Sequence, residues 1–389
     1  MQVPRWRSCR LFRVVKNGYM QEPRYHRQTI LPGFGAAGQQ KLAQASVLVV
    51  GAGGLGCPAL QYLVAAGVGY IGVADFDTVS LHNLHRQVLY TEADIGLPKA
   101  EVAIKKLKQM NSQVKFECFT DVWRQQDCID WFSGYDVIVD CTDNFTTRYV
   151  LNDACVLLQK PLVFAAVSQF EGQLAVFNAV QPNGSRSANY RHLFAEPPKA
   201  GEVRNCAEAG VLGVLPGILG TMQAAEVIKL ITGLGKPLIN QILTYNGLTQ
   251  SSYVLQLPRD VAVEGIPQTV SKFLEADYEA ACGNILPFIN AEIDWDTAIA
   301  IPHATWIDVR EPQEQPKLTH TTYVNVPMDR LLPYVQNNPA NPVIFVCQSG
   351  VRSLQAVHLY KQQWPQQSAY SIRGGINAIS GARQNIHTP

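Results

Sequence analysis

Short apolar runs alternate with longer segments of helical spacing along the first part of the chain. Val47 to Val50, Tyr70 to Ala74, Val114 to Phe119, Val137 to Val139 and Leu162 to Ala166 read as strands. Between the first two, Leu55 to Ala66 has helical spacing and stops at Gly67, a residue suited to a helix C-terminus. This rhythm predicts an α/β fold on a Rossmann-like, doubly wound, largely parallel sheet. A second long helix is expected from Pro216 to Ile231, with Pro216 in its first turn and Gly233 at its end. Periodicity weakens from Leu257 to Pro287, where Pro258, Pro267 and Gly283 interrupt the chain. It returns in strand-like Thr305 to Val309, Tyr323 to Val326 and Val343 to Val346, and in a helix at Ser353 to Tyr360. The expected organisation is a main domain over residues 23–258, a linker over 259–287 and a small α/β domain over 288–389.

Composition supports two cores and narrows the partners. A chain of 389 residues exceeds what one core usually holds. Its net charge of +1 gives no electrostatic reason to expect nucleic acid or an anionic membrane. The least polar stretch, Ala209 to Ala225, is broken by Gly210, Gly213, Pro216, Gly217 and Gly220, so no transmembrane segment is expected. Residues 1–22 carry Arg5, Arg7, Arg10, Arg13 and Lys16 without the apolar core of a secretory signal, and read as a disordered basic extension or a start assigned upstream of Met20. The nine cysteines are odd in number and form no Cys-x-x-Cys pair, which points to a reducing cytoplasm.

Where the first strand turns into the first helix stands Gly51-Ala52-Gly53-Gly54-Leu55-Gly56. Such a turn lets backbone approach phosphates and aims helix N-terminal amides at their charge. Asp75, at the end of the second strand, is placed to accept a hydrogen bond from a ribose hydroxyl. On these features alone an NAD-dependent oxidoreductase stays open. The following residues shift the balance: Asp75 through Gln87, with Asn83 and Arg86, then Ile95 to Lys99, then Asp140-Cys141-Thr142-Asp143-Asn144. A triphosphate undergoing substitution needs Arg, Lys and a metal-binding carboxylate, and this set supplies all three.

With these residues in view, the chain resembles the MoeB/ThiF family, adenylyltransferases related to ubiquitin-activating enzymes. The likeness runs from Arg24 to Leu257 and includes Arg24-Tyr25-His26-Arg27-Gln28. The resemblance implies that Gly53, Gly54 and Asp75 hold ATP, that Asn83, Arg86 and Lys99 contact its phosphates, and that Asp143 with Asn144 positions magnesium and nucleotide. It also implies a homodimer in which Arg27 reaches the partner's site. Asp77 and Gln87 read as loop supports, and His82 and His85 as surface residues, His82 standing where the family usually has serine. By the same resemblance Cys206 is a second nucleophile, the alternative being a small buried thiol. Cys57, Cys118, Cys141 and Cys155 read as core.

Many family members hold structural zinc with two Cys-x-x-Cys pairs. Here Asn189-Tyr190-Arg191-His192 replaces one pair, and the second is missing after Leu257, so zinc is expected to be absent and His192 to be a surface residue.

From Phe288 to Pro389 the chain resembles a rhodanese domain, through Trp306-Ile307-Asp308-Val309-Arg310-Glu311-Pro312, Arg373-Gly374-Gly375-Ile376-Asn377 and the loop Cys347-Gln348-Ser349-Gly350-Val351-Arg352-Ser353. In that loop backbone amides, Arg352 and the next helix's N-terminus would favour a thiolate at Cys347, suited to carrying a persulfide. Asp308 and Arg310 read as a structural pair. The two resemblances together imply adenylation of the C-terminal glycine of a ubiquitin-fold sulfur carrier, followed by sulfur transfer to give a thiocarboxylate. The sulfur would come from a cysteine desulfurase or another donor. A molybdopterin-synthase small subunit is the preferred carrier, with thiamine or tRNA-thiolation carriers as alternatives, and a non-catalytic carrier-binding paralogue is the rival reading.

Overall fold

The computed structural model describes residues 23–121, 123–196, 210–258, 263, 265–278, 291–318, 322–348, 350–364 and 366–378. Two compact units are present: one from the described residues of 23–143, 154–192 and 210–262, the other from 144–153, 193–196 and 263–378. The expected extension over 1–22 and Cys206 lie outside the described residues.

The first unit is built on an eight-stranded sheet in the order β3-β2-β1-β4-β5-β6-β7-β8. Strands β1 (Ser46–Val50), β2 (Tyr70–Ala74), β3 (Lys115–Phe119), β4 (Val137–Asp140) and β5 (Leu162–Ser168) pair in parallel, each within two residues of the range its apolar run predicts. Central β1 and β4 are covered on both faces, which is why they read as unbroken apolar runs. The sheet continues through antiparallel β6 (Glu171–Phe177), β7 (Gln241–Asn246) and β8 (Ser252–Gln256), which the apolar pattern did not predict. For the last two the reason is exposure: β7 buries only alternate residues and edge strand β8 buries none.

The Gly56–Ala66 helix lies in the core through Cys57, Ala59, Leu60, Leu63 and Val64, and ends at Gly67 in the left-handed region. The Val214–Thr232 helix is long and apolar enough to cross a bilayer, yet it packs against the Gly56–Ala66 helix and against β5, burying Leu215, Leu219, Ala224 and Val227. Its buried Gln223 donates from Nε2 to the Asp140 carbonyl at 2.7 Å, tying the helix to the end of β4.

The second unit has a five-stranded, all-parallel sheet in the order β11-β10-β12-β13-β9: β9 (Glu292–Ile293), β10 (Thr305–Asp308), β11 (Tyr323–Asn325), β12 (Val343–Val346) and β13 (Ala369–Ile372). Alternation along the strands makes a core on each face, Ile307, Val343 and Phe345 on one and Trp306, Ile344 and Val346 on the other. Within the stretch read as linker, Val270–Glu275 is helical, with Thr269 Oγ1 accepting from the Lys272 amide and Phe273 fully buried. Tyr278, just beyond it, donates to the buried Asp153 carboxylate at 2.8 Å.

Candidate active sites

Strand order sets the first site. Val50 faces Ala74 on one side and Asp140 on the other, so the chain leaving β1 emerges between the C-terminal ends of β2 and β4. There strand order reverses, the place where open α/β sheets bind ligands. The glycine turn occupies this position. Gly51 has φ 95°, and a Cβ there would meet the Cys141 carbonyl oxygen at 2.6 Å, so only glycine fits. A Cβ at Gly56 would overlap the Gly51 carbonyl, which brings the helix N-terminus close behind the turn.

The loop after β2 folds back over this turn. A Cβ built at Gly53 would lie 3.4 Å from Gln87 Nε2, and one at Gly54 3.5 Å from Arg86 Cγ and 3.1 Å from Pro216 Cβ. Arg86 and Gln87 therefore flank bare backbone, a shape suited to a phosphate chain. Arg86 is oriented by its own turn: Nη2 donates to Asn83 Oδ1 at 2.8 Å, Nη1 to the His82 carbonyl at 3.2 Å, and Nη1 sits 2.9 Å from His85 Nε2. Because a guanidinium only donates, that His85 nitrogen is the acceptor. His82 and His85 are exposed, as expected, and burial together with the charges of Arg86 and Lys99 pushes the His82 imidazole below its ordinary value. Gln87 is buried, with Oε1 lacking a hydrogen-bond partner among the described residues.

Asp75 is half-buried and braces the turn, Oδ2 accepting from the Ala52 amide at 2.7 Å and Oδ1 from the Asp77 amide at 2.9 Å. Burial raises its pKa, partly offset by the Lys99 charge. Lys99 opens the Lys99–Met110 helix and is only 4% exposed. Its amide donates to the Asp77 carbonyl at 2.9 Å and its Nζ to Asp77 Oδ2 at 2.8 Å. Asp77 thus positions the ammonium and, through its carbonyl, also ties its loop to the start of that helix. Tyr90 gave no signal in the sequence. Its buried hydroxyl donates to the Ala52 carbonyl at 2.8 Å and lies 3.2 Å from the Lys99 carbonyl, joining the glycine turn to the start of the lysine's helix.

Asp143 and Asn144 follow β4 and are exposed. A hard carboxylate oxygen of this kind fits a magnesium ion beside phosphates. Asn144 Oδ1 accepts from the Thr147 amide at 2.8 Å, so this side chain caps the Phe145–Leu157 helix. Arg27 is exposed in the short helix His26–Thr29.

Two readings need correction. Cys57, Cys141 and Cys155 are buried as expected, but Cys118 is exposed because it lies on β3, the edge strand of the sheet. His192 is half-buried rather than a surface residue: it ends the short Tyr190–His192 turn, its Nδ1 accepts from the Asn189 amide at 3.1 Å, and burial lowers its pKa.

The second site lies in the second unit, where Cys347 directly follows β12 and is fully buried. The Gly350 amide donates to its Sγ at 3.1 Å, and Ser353 Oγ lies 3.4 Å from the same atom. Gly350 has φ 94°, which turns that amide inward ahead of the Val351–Gln363 helix. Gln348 is held from two sides, accepting from Arg310 Nη1 at 3.0 Å and donating to Asn377 Oδ1 at 2.6 Å. Arg310 is buried and forms a two-point pair with Asp308, the structural role expected of both. Expected to favour the thiolate, Arg352 spends its guanidinium on a two-point pair with Glu314, both bonds 2.7 Å. Glu314 was not anticipated, since a glutamate in a polar loop carries no signature of its own.

Comparison with known proteins accords with this geometry. The family model described as the ThiF family matches residues 25–262. A sulfur carrier protein adenylyltransferase of Thermus thermophilus is 50% identical over 260 residues, covering 67% of this chain and 96% of its own. The adenylyltransferase and sulfurtransferase MOCS3 of Drosophila grimshawi is 38% identical over 378 residues, covering 91% of this chain and 83% of its own. Among solved structures, E. coli MccB with ATP superposes with a TM-score of 0.51 at 21% identity, over 59% of this chain and 68% of that one, a likeness of fold.

Proposed function

The chain belongs to the ThiF family, and from that premise we propose that it adenylates the C-terminal carboxylate of a ubiquitin-fold sulfur carrier and then delivers sulfur to it from Cys347. The observation that carries this is the reach of the likeness: a relative named for both activities aligns over 91% of this chain, far beyond the adenylation region.

In the first step a carboxylate oxygen of the carrier attacks the α-phosphorus of ATP and pyrophosphate leaves. Negative charge grows on phosphate oxygens, and Arg86 and Lys99, oriented beforehand by Asn83, His85 and Asp77, stabilise it without reorganising. Gly53 and Gly54 let the phosphates approach the backbone, while Asp75 is assigned the ribose. Magnesium, when bound at Asp143, supplies further neutralisation of phosphate charge. In the second step the terminal sulfur of a Cys347 persulfide attacks the acyl carbon and AMP leaves. Cys206 is the thiol we assign to cleaving the resulting sulfur–sulfur bond, which frees the thiocarboxylate and leaves a disulfide for an external thiol to reduce.

The same reading includes a homodimer completed by Arg27, a cysteine desulfurase or similar donor, and a cytoplasmic setting. Among carriers the molybdopterin-synthase small-subunit type is placed first.

Exchange of labelled pyrophosphate into ATP, run with each candidate carrier, tests the proposal. Lys99→Ala should abolish exchange, whereas Cys347→Ser should spare exchange and block thiocarboxylate formation. Carrier binding without exchange by the unaltered chain would establish a non-catalytic scaffold instead, and equal loss in both variants would refute the division of labour.

A further inference from the structure

Two fully buried hydroxyls in the second unit, Ser353 and Ser371, meet beside the Cys347 sulfur. Ser353 lies in the first turn of the Val351–Gln363 helix, and Ser371 comes from β13, a different element, opposite Phe345 of β12. We propose that Ser371 and Ser353 form a hydroxyl chain that delivers a strengthened hydrogen bond to the Cys347 sulfur when that sulfur is negatively charged. This rests on the reading of Cys347 as the persulfide carrier.

The argument is an accounting of protons. Ser353 Oγ lies 2.9 Å from the Gly350 carbonyl oxygen, 3.4 Å from Cys347 Sγ and 2.8 Å from Ser371 Oγ. Ser371 Oγ is 2.8 Å from Ser353 but 3.4 Å from the Gly350 carbonyl, so its single proton goes to Ser353. With that lone pair filled, the Ser353 proton has two destinations, the carbonyl or the sulfur. While Cys347 is a neutral thiol the carbonyl is the better acceptor. Once the sulfur is a thiolate the preference reverses, since a hydrogen bond to an ion is about twice as strong as one between neutral groups. The swing leaves no buried acceptor bare, because the Gly350 carbonyl keeps the Leu354 amide at 3.1 Å. Among the described residues the thiolate then has two donors, the Gly350 amide and the Ser353 hydroxyl, the second polarised by Ser371 behind it. Ser353 touches the reacting atom; Ser371 acts through Ser353 and is a positioning residue.

The test uses the full chain with thiosulfate as sulfur donor. The Cys347 thiolate attacks the outer sulfur of thiosulfate, the sulfur–sulfur bond of thiosulfate breaks, and sulfite leaves with the electron pair, so no added oxidant is needed. Single-turnover loading is followed as the mass gain of one sulfur, across pH about 5 to 9.5, a range that brackets the free-thiol value of about 8.5. The loading rate rises with the thiolate fraction and reports its midpoint. Ser353→Ala should move that midpoint up by about one pH unit, the size of one charge-assisted hydrogen bond. Ser371→Ala should move it in the same direction by less, and Ser371→Thr, which keeps the hydroxyl, should restore it. A purely structural role would lower melting temperature and leave the midpoint in place. The relay is overturned if Ser353→Ala and Ser371→Ala load with the unaltered chain's midpoint. If the unaltered chain takes up no sulfur at any pH, the assignment of Cys347 as carrier fails instead.

Discussion

Replacing Tyr90 by phenylalanine removes one oxygen atom from a buried junction and should impair the proposed adenylation site from outside it. Tyr90 is 5% exposed, and its hydroxyl donates to the Ala52 carbonyl at 2.8 Å with the Lys99 carbonyl 3.2 Å away. A typical hydrogen bond contributes about 1 kcal/mol net, and an acceptor left buried without a partner costs about 1–3 kcal/mol. The Ala52 carbonyl keeps a weak contact from Cys57 Sγ at 3.4 Å, which places the cost toward the lower end, about 1.5 kcal/mol. If the loss falls on the registry between glycine turn and Lys99, that energy corresponds to about a tenfold fall in kcat/KM for ATP. Pyrophosphate exchange at varied ATP measures it, and urea denaturation of the same preparation measures the accompanying loss of stability. Unchanged exchange kinetics together with an unchanged unfolding curve would refute the claim that Tyr90 braces the two elements.

Two further outcomes are expected. The Arg352 hydrogen bonds hold the Glu314 carboxyl below its ordinary value, so the pair stabilises the second unit fully above the unfolded glutamate value of about 4.3 and loses that contribution as pH falls through the lower folded value. Glu314→Gln should therefore melt earlier than the unaltered chain at neutral pH, by a small margin because both side chains are about a quarter exposed, and the gap should close in acid; a gap independent of pH would contradict the assignment. Among Cys57, Cys118, Cys141 and Cys155, a maleimide followed by peptide mapping should label Cys118 alone in the native protein, and slowly, since partial burial and Glu101 raise its thiol pKa. Native labelling of Cys57, whose pKa burial pushes up to about 12, would refute the packing described behind the glycine turn.

Much of this protein was legible in one dimension because its chemistry is local. Runs such as Val47 to Val50 are apolar throughout since a central parallel strand is covered on both faces, and the glycines at 51 and 56 announce a backbone that no other residue can follow. Arg86 and Asn83 sit in one turn and orient each other three residues apart. The loop from Cys347 to Ser353 likewise carries its own amide donor to the sulfur.

Other features depend on partners distant in sequence, and no local pattern marks them. That Cys118 is exposed follows from β3 being the last strand of its sheet, a property of strand order. Of the antiparallel strands, β7 buries only two alternate residues and β8 exposes every residue, so their apolar content is diluted below what a run reveals. Tyr90 spans Ala52 and Lys99, Glu314 reaches Arg352, and Ser371 meets Ser353 across two elements. The sequence by itself therefore determined where the backbone must be bare, at Gly51 and Gly56, and which thiol receives an amide from its own loop, Cys347, since both follow from residues in covalent succession. Only the tertiary structure decided which buried hydroxyls and carboxylates hold those groups in place, because hydrogen bonds are chosen by distance in space and the chain brings these partners together only after both sheets have closed.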